Sequence, residues 1–282
     1  VAENAAITTV VYATVATDAE NDVITYSLTG TDVASFDIDS ATGVVTLKAS
    51  ADYETQSSYG ITVNAKDASH APTAKSVTIG ITDVNEAPTD ITLSANSVAE
   101  NTATVSALTI GSLTSTDPDT GNTFNYSLVG GDDQASFQIT GNSLQFKAGT
   151  VLDYEAKNSY AVTVRTTDQG GLTYDETFTI NVSNVNEKPA ITAPAAQNVN
   201  QAAATAITGI SLADPDAGTN PITLTLAVAT GTLTASNGGG VTVANSGTTS
   251  ITLNGTQASL NSFISTSKVS YTSATAATGN VT

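Results

Sequence analysis

Residues 1–189 carry one pattern written twice, and that repetition limits the chain to a narrow set of folds. Ala2-Glu3-Asn4 recurs as Ala99-Glu100-Asn101, Tyr26-Ser27-Leu28 as Tyr126-Ser127-Leu128, and Asp52-Tyr53-Glu54 as Asp153-Tyr154-Glu155. Phe36-Asp37-Ile38 answers to Phe137-Gln138-Ile139. A period of about 100 residues far exceeds that of a solenoid, so each copy is expected to be a whole domain with its own core. Each copy closes on a short junction, Asp83-Val84-Asn85-Glu86-Ala87-Pro88 or Asn184-Val185-Asn186-Glu187-Lys188-Pro189. Its proline stiffens the connection and stops the next strand from starting early. The junctions divide the 282 residues into 1–86, 87–187 and 188–282.

Within each copy the apolar positions alternate, as in Tyr59-Ile61-Val63-Ala65 and Val77-Ile79-Ile81, or Tyr160-Val162-Val164 and Phe178-Ile180-Val182. A period of two puts one face of each strand inward. About seven short strands per copy, parted by Gly, Asp and Asn turns, read as a two-sheet antiparallel sandwich. The aromatic residues are read as core anchors. Segment three starts in the same style, with Asp214-Pro215-Asp216 standing where Asp117-Pro118-Asp119 stood, and then departs. Leu224, Leu226 and Val228 give a strand, and Ser236–Gly240 a glycine-rich turn. Leu260, Phe263 and Ile264 fall at helical spacing behind Thr256, a candidate cap, ahead of a strand at Val269–Tyr271. The chain stops at Thr282 where a final strand is expected, so the third segment is read as C-terminally truncated, without its closing edge unless Val281-Thr282 begins it. The opening on Val1-Ala2-Glu3-Asn4 suggests an excised fragment whose first domain lacks its first strand. Asp18, Glu20 and Asp67 would then be the receiving side of a joint with a preceding domain.

The chain has no cysteine, which excludes disulfides and thiolate metal sites. No stretch has the apolar length of a membrane span, and no signal peptide opens it. Its net charge of −18, from 26 acidic and 8 basic residues, argues against nucleic acid and anionic membranes and suits cations. The acids also cluster. At the first joint they are Glu3, Asp52, Glu54, Asp83 and Glu86 with Asn85, facing Asp117, Asp119 and Asp168 of the next copy. At the second they are Glu100, Asp153, Glu155, Asn184, Asn186 and Glu187, facing Asp214 and Asp216. Packed carboxylates raise one another's pKa unless a cation sits among them. Calcium takes six to eight oxygen ligands of this kind. Asn184 replaces the charged Asp83, and segment three offers no counterpart of Asp168. Fewer ions or weaker affinity are therefore expected at the second joint. No Asp or Glu follows Asp216.

Together Ala-Glu-Asn, Phe36-Asp37-Ile38-Asp39 through Gly43, Asp-Tyr-Glu, the aspartate at 67 or 168, and Asp83–Pro88 resemble bacterial cadherin-like repeats. The resemblance is strong over 1–189 and partial beyond. Gln201 stands there in place of the motif glutamate, and Asp-Tyr-Glu is missing. It implies an all-β fold of tandem seven-stranded Greek-key sandwiches, the third divergent with a short helix, and Ca2+ between consecutive domains. The same residue set is implied as ligands. It also implies a location outside the cell or on a bacterial surface.

The reading that follows is a calcium-rigidified extender segment of a large secreted bacterial adhesin, with the adjacent domains of the same chain as partners. The alternative is a module for homophilic contacts or polysaccharide binding. An enzyme is not expected. The sole histidine, His70, lies in a Ser69-His70-Ala71-Pro72 turn without a repeated counterpart, and the paired carboxylates fall at joints rather than across a cleft.

Overall fold

The computed structural model describes residues 1–200 and 202–274, so the expectations for Gln201 and for Val281-Thr282 lie outside the described residues. The chain forms tandem β-sandwiches with one helix near the third repeat. In the first, Val10–Ala13, Val44–Leu47 and Phe36–Ile38 make one sheet, in that order. Thr25–Thr29, Ser58–Lys66 and Thr73–Gly80 make the other. The expected alternation sets the core: Ile61 and Val63 from one sheet meet Phe36, Val45 and Leu47 from the other, all nearly solvent-free.

The second sandwich opens on a strand ahead of its Ala99-Glu100-Asn101 motif. Asp90–Leu93 pairs with the edge of Leu108–Thr116, which continues into Ser143–Phe146 and Phe137–Thr140. Asn125–Gly130, Ser159–Thr167 and Thr173–Ser183 form the other sheet. Phe137 and Phe146 stack at 4.7 Å between ring centres, and Tyr160 sets its edge against both.

In the third sandwich, Pro221–Ala227, Ser250–Thr256 and Thr242–Ala244 form one sheet. Ala204–Ala206, Ser270–Thr272 and Thr232–Thr234 form another, and Ala190–Thr192 pairs with Ser211–Ala213. The helix runs over Gln257–Ser265 and buries Leu260, Phe263 and Ile264, as the spacing implies. Thr256 caps it, its hydroxyl oxygen accepting from the Ser259 N–H at 3.1 Å. The divergence has a purpose in packing. Asn261 on this helix accepts from the Leu212 N–H (2.8 Å) and donates to the Leu212 carbonyl (2.9 Å), so an amide side chain does the work of a neighbouring strand.

By compactness the chain divides into two units. One comprises Val1–Ser97, Ala103–Thr150 and Tyr160–Asn181; the other comprises Val98–Thr102, Val151–Ser159 and Val182–Thr282. This division gives each carboxylate cluster described below a single unit of its own.

Phe137 is fully buried, and truncating it removes both aromatic contacts and leaves a void. Phe137→Ala is expected to cost the second sandwich about 3–5 kcal/mol, read as a lower urea midpoint.

Candidate metal centres

Each centre is built on a buried glutamate. Glu3 is 3% exposed, and its two carboxylate oxygens accept from the Tyr53 N–H and the Val84 N–H, both at 2.7 Å. One side chain thus clamps the Asp52-Tyr53-Glu54 turn to the exit of the last strand. Asn4 follows with a left-handed φ of 55°, which asparagine tolerates better than most residues. It turns its amide to Glu86 Oε1 at 2.7 Å. The second copy reproduces every contact. Glu100, also 3% exposed, accepts from Tyr154 N–H and Val185 N–H at 2.7 Å, and Asn101, at φ 57°, donates to Glu187. The repeated Ala-Glu-Asn motif is explained by this pairing: a carboxylate that bridges, then an amide that reaches the linker.

Around Glu3 the structure gathers Glu54, Asp83 and Asp119, with one carboxylate oxygen from each of the four lying within 4.8 Å of the others. Loss of solvent pushes the Glu54 carboxyl up, and the charges of Glu3, Asp83 and Asp119 add to it. Asp83 rises for the same reason, with Asp119 as its chief neighbour. From the far side Asp119 accepts from the Glu86 N–H at 2.7 Å, and its own N–H donates to Asp117 at 3.0 Å. Asp117 Oδ2 and Asp119 Oδ1 are buried and meet no donor among the described residues.

Asp168, 3% exposed, accepts from the Asn85 amide and the Leu172 N–H at 2.8 Å. Burial pushes its carboxyl up, but the Asn85 amide and the backbone N–H groups of Leu172, Gly171 and Gly170 outweigh that and carry it below the usual range. Gly170 lets Asn85 come this close, since a Cβ there would overlap the Asn85 side chain. Asp52 stands apart from the set. Its carboxylate accepts from the N–H (2.8 Å) and the hydroxyl (2.9 Å) of Thr55, holding the turn rather than joining the cluster.

The second junction gives two overlapping sets, Glu100–Asp153–Glu155 and Glu155–Glu187–Asp216. Asn184, standing where Asp83 stood, donates to Glu155 at 3.0 Å instead of adding a charge. Glu187 N–H donates to Asp216, whose carboxyl that contact lowers, and Glu187 Oε2 is buried without a donor among the described residues. Loss of solvent pushes Glu187 up. Asp214 accepts from Asp216 N–H (3.1 Å) and is fixed by Gln257 of the helix, which accepts from the Asp214 N–H at 2.7 Å. Asn186 donates to the Glu187 carbonyl at 3.1 Å, where Asn85 also has an aspartate.

The donors fit a hard divalent cation: all are oxygen, the carboxylates are crowded, and three buried carboxylate oxygens meet no donor among the described residues. Asn4, Asn101, Gly170 and Gln257 were not among the expected site residues. The two asparagines had a signal, their repeat beside the glutamate, whereas Gly170 and Gln257 had none. At the other end of the first sandwich, Asp18 accepts from Glu20 N–H (2.9 Å) and Asp22 N–H (3.1 Å). Asp67 pairs there with His70 Nδ1 at 2.7 Å, and the histidine with its backbone N–H neighbours lowers the Asp67 pKa to about 2.

Residues 1–82 and 95–183 match the family model for the cadherin domain, more than half of the chain. The chain belongs to the cadherin family. It is 28% identical to human protocadherin Fat 4 over 241 residues and 30% identical to Drosophila melanogaster protein dachsous over 217, covering 78% and 70% of this chain. It spans only 5% and 6% of those proteins' length. The crystal structure of mouse cadherin-23 EC22-24 superposes with a TM-score of 0.57 at 24% identity, covering 91% of this chain and 83% of that one, and shows the shared fold.

These matches correct the expected origin. The similarity runs to animal cadherins and protocadherins, from nematode, fly and mammals, and not to a bacterial adhesin. The bacterial spacer and the bacterial cell surface are therefore withdrawn. Residue patterns at the junctions are common to cadherin repeats at large, so they carried the fold but not the source. Cadherin repeats are structural adhesion modules rather than enzymes, and as a family they bind Ca2+ at the linkers between domains.

Gly170→Ala is expected to drive the Asn85 amide off Asp168 and leave a buried carboxylate oxygen unpaired, at about 1–3 kcal/mol. A lowered melting temperature measures it. The Asp67 carboxylate also raises the His70 imidazole above 6.5. The stability that this pair adds is thus fully present below 6.5 and fades as pH rises through the shifted value. An NMR titration of the His70 ring should give a pKa above 6.5 that Asp67→Asn returns to the ordinary value.

Proposed function

We propose that this segment is an extracellular adhesive module, in which tandem cadherin repeats meet like repeats on another molecule and Ca2+ fills both junctions. The observation that carries the reading is the duplicated clamp: Glu3 and Glu100 hold the same two loops, and each gathers further carboxylates around it. Adhesion is supported by the family and by the relatives' names, cadherin and protocadherin.

At the first junction Glu3, Glu54, Asp83, Asp117 and Asp119 would hold the ions, with Asn85, Glu86 and Asp168 fixing the linker and Asp52 supporting the turn. At the second the holders would be Glu100, Asp153, Glu155, Glu187, Asp214 and Asp216, with Asn184 and Asn186 as neutral members. Calcium supplies the positive charge that relieves carboxylate repulsion. Since it binds the ordered loops better than the disordered ones, it stabilises them by linkage. Extracellular modules of this sort bind calcium at about 10⁻⁴–10⁻³ M. The repeat boundaries at 86/87 and 187/188 are part of this proposal.

Calcium at millimolar concentration should raise the melting temperature, and EDTA should reverse the gain. Asp119→Asn should weaken binding more than Asp216→Asn, because Asp119 shares its cluster with three other carboxylates, Glu3, Glu54 and Asp83, and Asp216 with two, Glu155 and Glu187. Beads coated with the chain should cluster only with calcium. A chain that neither binds calcium in calorimetry nor clusters beads in its presence overturns the reading.

A further inference from the structure

The two copies of the Asp-Tyr-Glu turn share their backbone contacts and part company at one side chain. Each turn is held by the buried glutamate, which accepts from the Tyr53 N–H or the Tyr154 N–H at 2.7 Å. The Asp52 carbonyl accepts from the Gln56 N–H at 3.0 Å, as the Asp153 carbonyl does from the Lys157 N–H at 2.8 Å. Asp52 Oδ1 accepts from the Thr55 N–H at 2.8 Å, and Asp153 Oδ1 from the Ala156 N–H at 2.9 Å. The carboxylates nevertheless serve different ends. Asp153 keeps an oxygen within 4.8 Å of carboxylate oxygens of Glu100 and Glu155, whereas Asp52 does not join Glu3, Glu54, Asp83 and Asp119. What Asp52 has in addition is the Thr55 hydroxyl, which donates to its Oδ2 at 2.9 Å. Ala156 presents a methyl group at the matching position and has nothing to donate.

We propose that Thr55 withholds Asp52 from the ions of the first junction, and that residues 55 and 156 set how many charged ligands each turn supplies. The inference rests on calcium at the junctions, as proposed above. Thr55 is a positioning residue and acts through Asp52 alone. With one oxygen held by an N–H and the other by the hydroxyl, Asp52 is pinned across the end of its turn. A cation that recruits it must first break the hydroxyl contact, and hydrogen bonds to a charged acceptor are the costlier ones to lose. Calcium completes its shell with water where the protein gives no oxygen, so the junction fills without Asp52 but binds less tightly than its acidic residues allow. This evens out the two junctions. From turn and strand exit together, the first gathers two charges, Glu54 and Asp83, and the second gathers two, Asp153 and Glu155. The Thr55 hydroxyl at one and the neutral Asn184 at the other each remove a charge.

The test is a calcium titration of the 282-residue chain and its variants by NMR. The Val84 amide, bonded to Glu3, reports the first junction, and the Val185 amide, bonded to Glu100, the second. Thr55→Ala should tighten the first junction about tenfold and leave the second unchanged. Ala156 shows that the turn forms without the hydroxyl, so this variant keeps its fold. Thr55→Ser retains the hydroxyl and should match the parent. Ala156→Thr should weaken the second junction by a similar factor. Asp52→Asn should change little in the parent chain yet cancel the gain in Thr55→Ala, a non-additivity that a plain effect on the turn does not produce. Melting gives a second readout: without calcium Thr55→Ala melts no higher than the parent, and with calcium it melts higher. Equal affinity of Thr55→Ala and parent at the first junction, or a gain that survives Asp52→Asn, overturns the inference and leaves calcium binding intact. A parent chain whose Val84 and Val185 amides ignore calcium overturns the function proposed above, and this inference with it.

Discussion

A buried carboxylate that accepts two backbone N–H groups governs how each sandwich ends. Glu3 and Glu100 sit at 3% exposure, yet both oxygens are satisfied by the turn after Asp52 or Asp153 and by the start of the linker. Removing either partner loop would strand a charge in a place where water cannot reach it, a cost of several kcal/mol. The other acidic residues follow from this. Once turn and linker are held together, Glu54 and Asp83, or Glu155 and Glu187, have no room to separate their charges. The fold manufactures a crowded site as a consequence of how it closes.

The two junctions use one plan with different electrostatics. The first presents Asp83 where the second presents Asn184, and Asn184 spends its amide on Glu155. The first also brings in Asp168 through Asn85, a contact that needs the bare backbone of Gly170. The second instead draws support from the third sandwich, through Gln257 at the start of the helix. The helix is therefore part of how Asp214 is presented as well as part of the core, where it also fills in for a strand beside Leu212.

Much of this was legible in the residues. Alternation gave the sheets, because a half-buried strand must alternate, and the spacing of Leu260, Phe263 and Ile264 gave the helix, because only a 3.6-residue period puts them on one face. Repetition marked the junction acids. Local chemistry was harder to read. Asp52 and Asp153 look alike in sequence, but the threonine at position 55 captures both oxygens of Asp52, while Asp153 has Ala156 there and lends an oxygen to the cluster. Gly170 and Gln257 act through distances that no spacing encodes. The source of the chain was misread because the junction motifs mark the cadherin domain and not the lineage that carries it.

The acidic residues are also distributed unevenly: all 26 lie before Ala217, and Lys268 is the sole charge after it. Two copies that approach through surfaces of the first 216 residues do so against mutual repulsion, which salt or bound cations must screen over a Debye length of about 8 Å. The acid-free surface of the third sandwich carries no such barrier. Contact there would be nearly insensitive to ionic strength, whereas contact through the first two sandwiches would strengthen as ions accumulate.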